Sequence, residues 1–212
     1  MKWINTAHST AEAALQWDED QLYHCESGIS KPLLRTWHLS TYAIIMGKGN
    51  KVKTEVNQNT CKQDQIPIIK RCSGGGTVLI GPGCLCYSLI LPIIFHPKLR
   101  SISSTNTWIM QKMASGLSQN LNQTVSVNGI TDLCINNQKF SGNAQRRLKK
   151  SLLFHGTLLY NFNLSLISKY LPYPSLSPSY RKHRDHQTFI TQLSTTTEPQ
   201  LIQMLRKIWK ET

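Results

Sequence analysis

Acidic residues are scarce in this chain. Its 212 residues hold 11 Asp and Glu against 24 Lys and Arg, a formal net charge of +13. A surplus of that size favours an anionic partner: a nucleotide, an acidic protein or a nucleic acid. The basic residues fall in short groups, such as Arg146/Arg147/Lys149/Lys150 and Arg181/Lys182/Arg184. None is interleaved with aromatics as a base-stacking surface would be, which argues against nucleic acid. A long hydrophobic run is also missing. The longest apolar stretch, Leu85 to Phe95, is too short to span a membrane and is broken by Ser88 and Pro92. The opening residues Met1-Lys2-Trp3-Ile4-Asn5 lack the apolar core of a signal peptide, so the expected location is cytoplasmic. The six cysteines are scattered, and Cys84-Leu85-Cys86, the only close pair, does not have the spacing of a zinc site. His183 and His186 stand in a polar stretch without partner cysteines. The expectation is reduced thiols and no metal beyond an ion that arrives with a nucleotide.

What the chain does have is glycine in an unusual place. Lys70-Arg71-Cys72-Ser73-Gly74-Gly75-Gly76-Thr77-Val78-Leu79-Ile80 puts three consecutive glycines between two β-prone runs. Each glycine costs chain entropy on folding, so a triplet makes sense where backbone must come close to a ligand. A phosphate-binding P-loop is excluded, because Pro82 follows Gly81 where Lys-Ser/Thr is required. A dinucleotide fingerprint is excluded because β-branched residues from Thr77 predict a strand where a helix is needed. A plain glycine-rich hairpin turn remains the competing reading of this stretch.

The length suits one domain with a full core. Helical spacing predicts a helix from Ala11 to about Cys25, capped by Ser9 or Thr10, and another from Asn106 to Leu121 with Ile109, Met113, Leu117 and Leu121 along one face. Strands are expected at 33–39, 42–46, 66–71, 77–80 and 85–91, with a short helix over 54–63. A hairpin turning at Asn128-Gly129 joins 125–127 to 133–135, and Asn136-Asn137 turns the chain into the strand that carries Lys139. Residues 151–160 return beside that strand, with Gly142 a place for a bulge. A short helix is expected at 164–171, an extended proline-rich surface segment over 172–188, and a last helix from Glu198 or Pro199 to Lys210. Helices mixed with hairpin-linked strands predict an α+β fold with a mixed, largely antiparallel sheet and packed helices.

A second motif-bearing stretch holds Lys139-Phe140-Ser141-Gly142-Asn143-Ala144-Gln145 and then His155-Gly156-Thr157-Leu158. With the glycine stretch, these resemble the lipoate–protein ligase A group of the biotin/lipoate A/B protein ligase family. That group carries Arg-Arg-x-Ser-Gly-Gly-Gly-x-Val, Lys-x-Ser-Gly-x-Ala-Gln and His-Gly-Thr-Leu in this order. The resemblance covers the catalytic domain, placed at residues 1–175, with 176–212 a basic, proline-rich segment and C-terminal helix of the same unit. It implies a fold related to class II aminoacyl-tRNA synthetases and biotin synthetases. It also implies a reaction in which lipoate or octanoate is activated by ATP and Mg2+ to an acyl-adenylate, then passed to a lysine of a lipoyl carrier domain of a 2-oxoacid dehydrogenase or glycine cleavage protein. By the same resemblance Lys139 is catalytic and contacts both acyl group and phosphate. Arg71, Gly76, Thr77, Val78, Leu79 and Asp132 lie against the nucleotide, while Ser73, Gly74, Gly75, Gly142 and His155 lie against the acyl substrate. His155 would orient Lys139 or the incoming lysine.

The chain also departs from the pattern. Ligases of the group usually read Tyr/Phe-His-Asp-x-Gly-Asn after the glycines, where this chain has Leu79-Ile80-Gly81-Pro82-Gly83-Cys84. Octanoyl transferases keep a cysteine where Leu152 stands, so a transferase that moves octanoyl or lipoyl between carriers without ATP would need Cys72, Cys84, Cys86 or Cys134. The residues after the catalytic region are too few for the accessory domain many ligases carry, which raises a separate accessory subunit as a partner. A biotin ligase is a further alternative, although its glycine-arginine-rich loop is absent. So is a non-catalytic relative that keeps the fold.

Overall fold

The computed structural model describes residues 1–210. Strand β1 (Lys2–Ala7) leads into helix α1 (Ala11–Glu26), whose N-cap is Thr10, its hydroxyl accepting the Ala13 N–H at 3.2 Å. Strands β2 (Leu33–His38) and β3 (Ala43–Met46) follow. Two single-turn helices, α2 (Val52–Glu55) and α3 (Gln58–Gln63), replace the one helix expected over 54–63. The break falls at Val56-Asn57, where the Asn57 N–H and side-chain amide donate to the carbonyls of Tyr170 and Lys169, a tertiary pull that local spacing does not reveal. Strands β4 (Ile68–Lys70), β5 (Val78–Ile80) and β6 (Cys84–Pro92) come next.

Helix α4 (Ile102–Leu121) starts four residues earlier than expected, because Ser101 caps it by accepting the Ser104 N–H at 3.1 Å. Strands β7 (Ser126–Asn128) and β8 (Asp132–Ile135) then pair with Asn128 opposite Asp132, so the turn is the longer Gly129–Thr131 rather than Asn128-Gly129. Asn136 and Asn137, both at positive φ, make the expected tight turn into β9 (Gln138–Arg147), which pairs with β10 (Ser151–Leu159). The β9–β10 register is regular, and the irregularity lies instead at Leu133/Cys134, between β8 and β9. Helices α5 (Ser165–Tyr170), α6 (His186–Phe189) and α7 (Glu198–Lys210) complete the chain. The proline-rich stretch before α6 is more structured than an extended surface segment, with Arg181 buried between the rings of Tyr173 and Phe189.

The large sheet runs β1-β2-β6-β10-β9-β8-β7, and a small one runs β4-β3-β5. Among the described strands the pairs β1–β2 and β3–β4 are parallel and the rest antiparallel, in keeping with the expected mixed, largely antiparallel sheet. Alternation along β6 decides what covers each face. Leu85, Tyr87, Leu89 and Leu91 join the core under α4 and α7, with Ile109, Met113, Leu117 and Trp209. Fully burying one such aliphatic side chain contributes roughly 1.5–3 kcal/mol. The alternate residues Cys84, Cys86, Ser88 and Ile90 face the other way, toward α1 and the small sheet.

Candidate active site

The glycine loop is not a hairpin turn. β4 and β5 do not pair with each other. They flank β3, β4 in parallel and β5 antiparallel, so residues 71–77 cross the C-terminal end of β3. The crossing is tied to the Gly47 turn: the Arg71 N–H donates to Met46 O, Lys48 N–H to Ser73 O and Gly47 N–H to Gly76 O. Such close approach requires glycine at 47, where a Cβ would lie 2.1 Å from the Gly75 carbonyl oxygen.

Arg71 organises the loop. Its Nη2 donates to the carbonyls of Gly74 (2.6 Å) and Gly76 (2.8 Å), its Nε to Ser73 Oγ (2.9 Å), and its Nη1 to Ile45 O (3.3 Å). Burial lowers its pKa to about 10, which leaves the guanidinium charged at neutral pH. In this geometry the fork that suits a phosphate is already committed to the loop's own carbonyls. Ser73, accepting from Arg71, lies 2.6 Å from His155 Nε2. Burial first, and then the Arg71 charge, hold His155 down to about 3, so the ring is neutral and shares one hydrogen bond with the Ser73 hydroxyl through Nε2. His155 thus supports the loop through Ser73.

Lys139 is paired with Asp132, Nζ to Oδ1 at 2.8 Å, on adjacent strands β9 and β8. Gly142 makes room for it: a Cβ there would meet Lys139 Nζ at 2.8 Å and Cε at 2.9 Å. The second Asp132 oxygen accepts the Tyr180 hydroxyl at 2.7 Å. Asn143, next to Gly142, accepts the Tyr87 hydroxyl at 2.6 Å and donates to Thr131 O at 2.7 Å, fastening β9 to the turn before β8.

These parts surround one cavity of about 370 Å3. Its floor is buried and largely apolar, with Trp37, Ile45, Ile80 and Cys86. Lys139 and Asp132 line it too, and Ile130 and Leu176 stand exposed at its rim. Of the residues singled out from sequence, Arg71, Gly75, Gly76, Thr77, Val78, Asp132, Lys139, Gly142 and His155 line this cavity. Ser73 and Gly74 sit just behind, bonded to Arg71. Leu79 packs in the core of the small sheet and has only backbone to offer a ligand. Sequence reasoning missed Tyr87, which alternation alone places in the core, and Tyr180, which comes from a stretch without a motif. Asn143 lay inside a quoted motif and was passed over.

The cysteines available to a thioester route are poorly placed for it. Cys84 and Cys86 are buried side by side, and the Cys86 thiol is pushed well up by its bond with Cys84 and by burial. Cys72 is pushed up to about 11, by burial first and then by the charges of Glu19 and Asp18. A thiolate nucleophile needs the opposite shift. Among the described residues no group of three or more His, Cys, Asp and Glu could hold a metal ion, and no helix is long and apolar enough to cross a membrane.

The family model for the lipoyl protein ligase A/B catalytic domain matches residues 10–211. A Mycoplasma genitalium relative named for lipoate-protein ligase A is 35% identical over 128 residues, 60% of this chain and 37% of its own length. The chain spans about a third of the length of the curated relatives it matches first. Among solved structures, a T. acidophilum protein with bound lipoic acid aligns over 99% of this chain and 84% of its own, at 19% identity and a TM-score of 0.83. A lipoate-protein ligase A bound with ATP aligns over 99% and 83%, at 19% identity and a TM-score of 0.76. The fold is that of the lipoate and biotin protein ligases, as expected.

Proposed function

Because the chain belongs to the lipoyl protein ligase A/B catalytic-domain family, we propose that it activates lipoate or octanoate with ATP and transfers the acyl group to a lysine of a lipoyl carrier domain. The observation that carries this reading is the placing of Lys139 and Asp132, 2.8 Å apart, on the wall of a cavity with an apolar floor. An acyl chain suits the floor, and its carboxylate then lies within reach of the ammonium.

In the first step a carboxylate oxygen attacks the α-phosphorus of ATP, and pyrophosphate leaves. Two anions must meet, so fixed positive charge is the main requirement. Lys139 supplies it, keeping one N–H on Asp132 and turning the others to the acyl oxygen and the phosphate. Arg71 contributes by holding the loop, with Gly75 and Gly76 as backbone walls. Among the described residues Asp132 is the carboxylate that lines the cavity, and it would hold a magnesium ion carried on the nucleotide's phosphates, which would offset their charge. In the second step the carrier lysine attacks the acyl carbon, AMP leaves with the bonding pair, and the amine loses a proton. The raised Cys86 thiol and the burial of Cys84 beside it favour this route over a transferase that passes through a thioester. A separate accessory subunit is proposed with it, because a solved T. acidophilum structure that shares the fold is described as a bi-partite lipoate protein ligase.

The test is pyrophosphate release from octanoate, ATP and magnesium, beside a Lys139→Ala control. Release that vanishes in the control supports the ligase half-reaction. Release that survives it, or acyl transfer from an octanoyl carrier without ATP, overturns the proposal.

A further inference from the structure

Tyr180 belongs to the proline-rich stretch between α5 and α6, yet it reaches the centre of the site. Its ring packs on Phe189, with centroids 5.3 Å apart, and lies over Gly129, where a Cβ would come within 3.3 Å of the ring. Its hydroxyl donates to Asp132 Oδ2 at 2.7 Å, while Asp132 Oδ1 holds Lys139 Nζ at 2.8 Å. The carboxylate is therefore gripped by both oxygens, one bond from the strap and one from the lysine. Burial and the Asp132 charge push the Tyr180 phenol well up, so it remains an O–H donor. The strap, the stretch between α5 and α6, is fastened beside the lysine's strand as well. Arg184 Nη1 donates to Asn137 O, in the turn before β9, at 3.0 Å, and just after α6 the Thr191 N–H donates to Lys139 O at 2.9 Å.

We infer that Tyr180 is a positioning residue for Lys139, acting through Asp132, so that the seating of the strap and the placing of the ammonium are one event. This rests on the reading of Lys139 given above. A carboxylate held at one oxygen can rotate and carry its lysine partner with it. Held at both, it presents Oδ1 at a fixed point on the cavity wall.

Tyr180→Phe keeps the ring and removes only the hydroxyl. With octanoate, ATP and magnesium, kcat for pyrophosphate release is expected to fall about tenfold, the factor carried by one lost hydrogen bond to a charged group. KM for octanoate is expected to stay where it is, and the melting temperature to fall by only a few degrees. In an Asp132→Asn background the same change is expected to lower kcat no further, whereas a strap that acted on its own would lower it again. A second readout does not depend on activity: the Lys139 ammonium, followed by 15N NMR, is expected to be protected from exchange in the native protein and broadened in Tyr180→Phe. An unchanged ammonium signal, or additive effects in the double variant, overturns the inference. Failure of the ligase reading shows itself differently, as pyrophosphate release that survives Lys139→Ala, and the NMR comparison then decides the Tyr180 link alone.

Discussion

Replacing Gly142 with alanine separates the position of Lys139 from its chemistry. The new Cβ would start 2.8 Å from Lys139 Nζ and 2.9 Å from Cε. Ordinary van der Waals contact begins near 3.4 Å. The lysine head must therefore retreat by about 0.6 Å or more, as non-bonded carbon contacts require. The atoms in the way are the far end of a flexible side chain, and Gly142 is not at positive φ, so the backbone tolerates alanine and the fold is expected to hold. The retreat shifts the ammonium along the cavity wall and strains its 2.8 Å pair with Asp132. A misplacement of this order costs roughly tenfold to a hundredfold where reacting groups must be aligned. The assay is pyrophosphate release with octanoate, ATP and magnesium, run beside thermal melting and a Gly49→Ala control, a glycine whose added Cβ would meet nothing within 4 Å. A Gly142→Ala protein that melts like the native one yet releases pyrophosphate at the native rate would refute the reasoning, because the place of Lys139 would then not matter.

Two further outcomes follow from the same geometry. His155, held down to about 3 against an ordinary 6.5, stays neutral in the fold while the unfolded chain takes up a proton below about pH 6.5. Its contribution to stability is therefore full above that value and is lost as the pH falls toward 3, so the gap between the native protein and His155→Gln in urea unfolding should shrink by about 2 kcal/mol from neutral pH to about pH 5. A gap that stays constant would contradict a buried neutral imidazole. Cys86→Ser should leave ATP-dependent acyl activation in place, and iodoacetamide should label Cys86 slowly in the native protein, because the thiol is buried and pushed up. Rapid labelling together with lost acyl transfer would bring back the thioester route.

Local patterns were enough for much of this molecule. The Thr10 cap and the helix after it, the four-residue stripe of α4, the Asn136-Asn137 turn and the strands around the glycine loop all follow from spacing, capping and turn chemistry within a few neighbouring residues. The three motifs named the family, and most of the residues they pointed to line one cavity. What the sequence could not contain was partnership across long separations. The helix over 54–63 is broken by hydrogen bonds from the end of α5. Arg71 reads as a phosphate ligand; the crossing of β3 also surrounds it with carbonyl oxygens and makes it a clasp for its own loop. His155 reads as a partner of Lys139 or of the incoming lysine; the crossing of the glycine loop brings Ser73 against it. Tyr180 carries no motif at all, because its hydrogen bond to Asp132 joins residues 48 positions apart. Periodicity and motif record what a residue does for its own element, whereas the choice between hydrogen-bond partners from different elements is made only when the chain packs and every buried donor must find an acceptor.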